Sequence, residues 1–292
     1  MSELFQLHWR SRLRFLDVHY HVAPDVFRRR HGVLSAGRQY QMLNGGVVLK
    51  NHLGDSVASA EAAREIGLPV FGSLVLNAVA GGPCWRTVEA SLCKLQAECS
   101  GRLLMHLPTF TGAKHQSKLN RSVSNQASQA KGLMPSRVSN GVGRLRQEVM
   151  ELLHMSRDYP VVISTGHANR EEVMRLIDVA GRLGVQRLML NQPANPMTGL
   201  NATDLASLAG ASWLYIEQTA LTYLLGYQRW DDFAAVLTQI QNVVYSSDLG
   251  QPDQPDIAEW HARSQLWFDE MGLNPQRRAA ICLDNALTML AP

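Results

Sequence analysis

Leu13-Arg14-Phe15-Leu16-Asp17-Val18-His19-Tyr20-His21 starts as an apolar run and ends on two imidazoles. In an extended strand side chains alternate between faces, so Asp17, His19 and His21 are expected on one face. Two imidazoles on one strand face make half of a metal site, because each ring offers one nitrogen. The plainer reading is a pair of surface histidines. Recurrence decides between them: a metal centre needs further ligands at the ends of later strands.

Outward from that stretch the chain alternates helix and strand. A helix over 34–43 stops at Gly45-Gly46, and an apolar strand over 47–50 leads into Lys50-Asn51-His52. A helix over 56–66 precedes a third strand over 69–76, and a helix over 87–98 precedes a fourth over 102–107, closed by Pro108. Residues 109–140 are polar, rich in Ser, Gln, Asn and Lys, and break the rhythm. It resumes with a helix over 142–156 whose Leu145, Val149, Leu152 and Leu153 share a face. The fifth strand, 161–165, runs into Gly166-His167, and Asn169 with Glu172 has capping-box spacing for the next helix. Strands over 187–191, 212–216 and 243–246 end at Gln192, Glu217 and Asp248, separated by helices over 203–208 and 230–240. Helices over 257–271 and 276–290 close the chain.

Eight short apolar strands, most of them spaced by one helix, predict a (β/α)8 TIM-type barrel with a long polar insertion after the fourth strand. A doubly wound open sheet would want a glycine-rich phosphate loop after the first strand, where this chain has His21-Val22-Ala23-Pro24. The 292 residues are read as a single barrel domain, with 109–140 as a lid-like insertion at the end of the fourth strand. Lys114, His115, Lys118 and Arg121 of that insertion are candidates to meet an anionic substrate, against the alternative of a solvated loop.

Composition narrows the function classes. A formal net charge of +3 with no basic run interleaved by aromatics argues against a nucleic-acid partner. Arg28-Arg29-Arg30 is the sharpest basic cluster, a solvated loop or a hold on an anionic substrate group. Four cysteines without Cys-x-x-Cys spacing signal neither a zinc finger nor a disulfide framework. With no signal peptide and no membrane-length apolar run, the expectation is a cytoplasmic protein acting on a small molecule, its oligomeric state open.

Barrel enzymes keep their chemistry at the C-terminal ends of the strands. Those ends read His19/His21, Lys50/His52, Asn77, His106, His167, Gln192, Glu217 and Asp248, whereas His8, His31, His115, His154 and His261 fall elsewhere. The segments Asp17-Val18-His19-Tyr20-His21-Val22-Ala23-Pro24-Asp25, Val47-Val48-Leu49-Lys50-Asn51-His52 and Gly72-Ser73-Leu74-Val75-Leu76-Asn77 belong together with later ones. Those are Pro108-Thr109, Thr165-Gly166-His167 and Ser246-Ser247-Asp248-Leu249-Gly250-Gln251. In that order the set resembles the amidohydrolase superfamily of metal-dependent hydrolases, and within it a subgroup filed as a domain of unknown function.

The resemblance implies a distorted barrel holding one or two divalent ions, zinc by default, with manganese, iron or nickel also suited to such ligands. It implies His19 and His21 as the first-strand ligand pair, His167 as the fifth-strand ligand and Asp248 as the eighth-strand aspartate. Two departures from the superfamily pattern stand out: His106 where a bridging Lys or Glu is usual, and Gln192 where a second histidine is. Lys50 would bridge two ions if carboxylated, or else hold a substrate carboxylate. His52 reads as an extra ligand or a substrate donor, and Glu217 as a ligand or a group orienting an imidazole. His106, Asn77, Gln192 and Arg28 are the candidate substrate contacts.

Such a ligand set brings the pKa of bound water towards about 7 and directs hydroxide at a polarised carbonyl, with Asp248 as proton shuttle and Lys50 and His52 assisting. Hydrolysis of an amide or other C–N bond is therefore expected, ahead of an ester or phosphoester. The alternatives are a metal-dependent lyase or decarboxylase on the same barrel, and a degenerate, metal-free binding protein, which Gln192 favours.

Overall fold

The computed structural model describes residues 2–96, 100–112 and 117–292. Its centre is one parallel eight-stranded sheet in sequential order: β1 (Phe15–His21), β2 (Gly45–Lys50), β3 (Val70–Val75), β4 (Leu103–His106), β5 (Val161–Ser164), β6 (Leu188–Leu190), β7 (Leu214–Thr219) and β8 (Val243–Ser246). Closure occurs just beyond β8. Asp248 N–H donates to the His19 carbonyl at 2.8 Å, and His21 N–H donates to the Leu249 carbonyl at 2.8 Å. The result is a nearly closed (β/α)8 barrel, as the strand pattern predicts. Its strands read as continuous apolar runs because helices cover one face and the barrel interior the other.

The interior is layered. Val18, Val48, Phe71, Leu104, Val162, Met189, Tyr215 and Val244 give one apolar side chain per strand to a single buried cluster. Phe5 and Trp9 of the helix Ser2–Arg10 join it from below, together with Leu283, Leu287 and Leu290 near the chain end. Two residues further along each strand the pleat returns to the same face. There the chain places Lys50, Ser73, His106, Ser164, Asn191, Glu217 and Ser246, all buried. A greasy floor therefore carries a polar ring directly above it.

β1 departs from simple alternation. Its register against β2 shifts between Asp17 and Tyr20. Leu16 and Val18 belong to the interior cluster, while Phe15, Tyr20 and Val22 belong to the cluster between sheet and helices. The irregularity corrects the expectation that Asp17 shares a face with the two histidines. Asp17 instead accepts from the Tyr40 hydroxyl at 2.5 Å, on the helix Val33–Met42, and from the N–H groups of Ser247 and His19, each at 3.0 Å. A bulge inserts one residue and re-aims the side chains beyond it.

Other differences have local causes. The helix expected from Val142 begins at Gln147, because the Asn140 side chain accepts from the N–H groups of Val142 and Arg144, each at 3.1 Å, and holds that stretch as a turn. The helix expected over 87–98 covers Trp85–Leu92, and its expected end falls outside the described residues. The short helix Ala220–Leu224 follows β7 directly and is a further element. Among the described residues no helix is long and apolar enough to cross a membrane.

Candidate metal centre

His19 and His21 leave the bulged end of β1 with their Nε2 atoms 3.3 Å apart. The Oδ1 atom of Asp248 lies 3.0 Å from the first and 3.2 Å from the second. Asp248 reaches them from the segment after β8, in a left-handed backbone conformation with φ of 55° that aspartate tolerates better than most residues. Three donor atoms thus converge from β1 and the end of β8. In a tetrahedral site with bonds of about 2.0–2.2 Å, donors sit about 3.3–3.6 Å apart, within a few tenths of an ångström of these separations. The residues present fit a divalent ion.

Behind His19 stands Glu217 of β7. Its Oε1 accepts from His19 Nδ1 at 2.8 Å and from the Ser246 hydroxyl at 2.8 Å, and its Oε2 accepts from the Gln192 N–H at 2.9 Å. A carboxylate on Nδ1 fixes the tautomer and leaves Nε2 as a lone pair. Glu217 is placed to orient His19, one of the two roles expected of it. Burial works against a charged His19, yet Asp248 and Glu217 outweigh it and raise its pKa to about 9. Burial likewise opposes ionised Asp248, and the imidazoles beside it nonetheless hold its carboxyl well below the usual range. The site is built to receive positive charge between two carboxylates.

A second cluster adjoins the first. His52 stacks on His21, with ring centres 4.6 Å apart and planes 4° from parallel, and on Phe110 at 5.0 Å. Its Nδ1 lies 2.9 Å from Asp25 Oδ2, and its main-chain N–H donates to Asp25 Oδ1 at 2.8 Å. His21, Asp25 and His52 could also converge on an ion. Arg29, however, donates from Nε to Asp25 Oδ2 at 2.7 Å and brings Nη2 to 3.2 Å from His52 Nδ1. A guanidinium already neutralises that carboxylate. Burial keeps His52 down at about 4, a neutral imidazole held in place by its neighbours.

The remaining expected residues divide. Lys50 is buried and crosses the barrel to donate to Asn191 Oδ1 at 3.0 Å, its pKa lowered to about 8 chiefly by burial. His106 pairs with the Ser164 hydroxyl at 2.8 Å and keeps a buried Nε2 with no partner. His167 stands outside the His19, His21 and Asp248 group, and its Nε2 accepts from Gln192 Nε2 at 3.1 Å. Asn77 donates to the His52 carbonyl and accepts from the N–H groups of Thr109 and Phe110, and so ties two loops together. Arg28 is exposed, and it is Arg29 whose side chain turns inward. Lys114 and His115 lie outside the described residues.

Beside the centre lies a cavity of about 210 Å³ lined by Asp248, His167, Gln192, Asn195, Arg121 and Tyr227, among others. Thr109 to Gly112 and parts of 117–133 form one wall, which puts the described part of the insertion across the strand ends. Sequence reasoning met Arg29 only as a member of the Arg28-Arg29-Arg30 cluster and passed over Asp25, Ser164, Asn191 and Ser246. The last three carried a signal, since each stands two residues beyond an apolar interior position of its strand.

A family model described as a family of unknown function, DUF6282, matches residues 14–217. No curated protein matches the chain. Among solved structures, an amidohydrolase from Burkholderia multivorans with bound HEPES superposes with a TM-score of 0.53 at 12% identity, covering 96% of this chain and 100% of that one. The TatD homolog YjjV from Escherichia coli K12 gives 0.52 at 16% identity, over 95% and 98% of the two chains. At such identities the likeness is one of fold.

Proposed function

The chain belongs to the DUF6282 family of unknown function, and we propose that it is a metal-dependent hydrolase acting on an amide or other C–N bond of a small molecule, with an ester as the nearest variant. The observation that carries this reading is the meeting of His19 Nε2, His21 Nε2 and Asp248 Oδ1 within 3.3 Å of one another at the mouth of a barrel. A divalent ion there, zinc by default, supplies Lewis acidity towards a carbonyl and lowers the pKa of water. One ion is proposed, because Gln192 occupies the ring nitrogen that His167 would offer to a second.

The chain's own residues do the rest. Glu217 keeps His19 in its ligating tautomer, and the apolar floor below the ring excludes water from that side. Asp248, on the cavity wall, takes the proton from water and returns it to the leaving nitrogen. Its low proton affinity suits the ionised form that such a base needs at neutral pH.

Elemental analysis of the purified chain tests the premise. About one equivalent of a transition metal, removed by a chelator and restored by the ion, is expected. A protein that neither carries nor takes up metal would be a binding protein. Asp248→Asn is expected to weaken metal binding and, with the metal resupplied to saturation, still to lower turnover of any hydrolysed substrate by roughly 10²–10⁴. Undiminished turnover would remove its proton-shuttle role.

A further inference from the structure

The loop after β1 and the insertion after β4 are stitched together. Arg28 N–H donates to the Ser122 carbonyl at 2.9 Å, Ser124 N–H donates to the Val26 carbonyl at 2.8 Å, and Phe27 pairs antiparallel with Val123. This clasp brings two guanidiniums to one aromatic ring. Arg29 Cζ stands 5.9 Å, and Arg121 Cζ 5.0 Å, from the centre of the Phe27 ring. Both fall within cation–π range of about 6 Å.

Neither guanidinium is fully used. Arg29, its side chain 1% exposed, places Nε and Nη2 on Asp25 and leaves Nη1 buried with no acceptor. A buried donor without a partner is costly, and an incoming acceptor would recover that cost. Arg121 has no carboxylate partner among the described residues and lines the cavity together with Asp248. Other cations nearby are committed. Lys118 Nζ donates to the carbonyls of Leu225 and Gly226, Arg30 to those of Pro252 and Gln254, and Lys50 to Asn191.

We propose that Arg29 and Arg121 form an oxyanion subsite beside the metal centre, so that the substrate carries a carboxylate or phosphate in addition to the bond that is cleaved. Two planar forks held apart by one ring suit an anion with several oxygens better than a neutral polar group. The subsite deepens the hydrolase reading and rests on it for the cleaved bond, but capture of the anion needs only the arginines. The clasp gives the insertion a definite role, which is to deliver Arg121 to the reaction site.

Calorimetric titration of the full chain, as purified and after chelation, with inorganic phosphate and with succinate tests this. Saturable binding of at least one probe by the chelated protein is expected, and the stronger probe identifies the group. Arg121→Ala should weaken that binding roughly tenfold or more, Arg121→Lys should recover part of it, and Arg28→Ala, which removes an exposed neighbouring charge, should leave it within about twofold. Binding that vanishes with the metal, or that Arg121→Ala leaves unchanged, overturns the subsite while the hydrolase reading stands. Arginine-dependent binding by a protein that never takes up metal supports the subsite and removes the hydrolase.

Discussion

Glu217 is buried behind His19 and is not among the residues lining the cavity beside the centre, yet the centre depends on it. It accepts three hydrogen bonds, and the one from His19 decides which ring nitrogen is free. Replacing it with Gln keeps the volume and removes the charge, so metal affinity should fall by about 10–100-fold with the fold intact, as a metal titration of the refilled protein would show. At this scale the sequence was informative where chemistry-bearing residues stand at strand ends. His19, His21, Asp248 and Glu217 were visible there because few other residue types at such positions bind metal. Arg29 and Asp25 were not, since only a folded loop shows that Arg29 and not Arg28 turns inward. His167 shows the converse: a residue in the expected place, diverted by the amide of Gln192.

Among elements, β1 and the segment after β8 set the geometry together. The irregularity in β1 sends Asp17 to Tyr40 while both imidazoles face inward, and no alternation of residue types announces a bulge. Strand positions were legible because buried parallel strands are nearly all apolar. The turn past β8 is tight in a way that glycine reveals. Gly250 has φ of 114°, and a methyl group added there would lie 2.0 Å from the His21 carbonyl oxygen. Gly250→Ala should therefore destabilise the protein by about 2–4 kcal/mol in urea denaturation and weaken metal binding as β1 and Asp248 are forced apart. Gly166, before His167, is under the same constraint from the Leu107 carbonyl at 2.1 Å.

For the molecule as a whole, stability and chemistry occupy separate layers of one barrel. Truncating Phe71 of the interior floor to Ala should cost about 3–5 kcal/mol in denaturant unfolding, while each folded molecule still binds its full complement of metal. A parallel loss of metal per folded molecule would show the layers to be coupled. The overall plan was readable from the rhythm of strand and helix. The helix Ser2–Arg10 was not expected, because it is amphipathic and short and its burial of Phe5 and Trp9 makes sense only beneath a finished barrel.

That floor has a kinetic consequence. With the lower end of the cylinder plugged by aromatic and aliphatic side chains, arrival and departure are both left to the upper end, where the described residues place the candidate centre. In the proposed hydrolysis, spent fragments would leave along the corridor by which fresh reactant comes in. The fragment released last should therefore compete with fresh reactant for the same free enzyme, and steady-state analysis with it added would reveal a slope effect without an intercept effect.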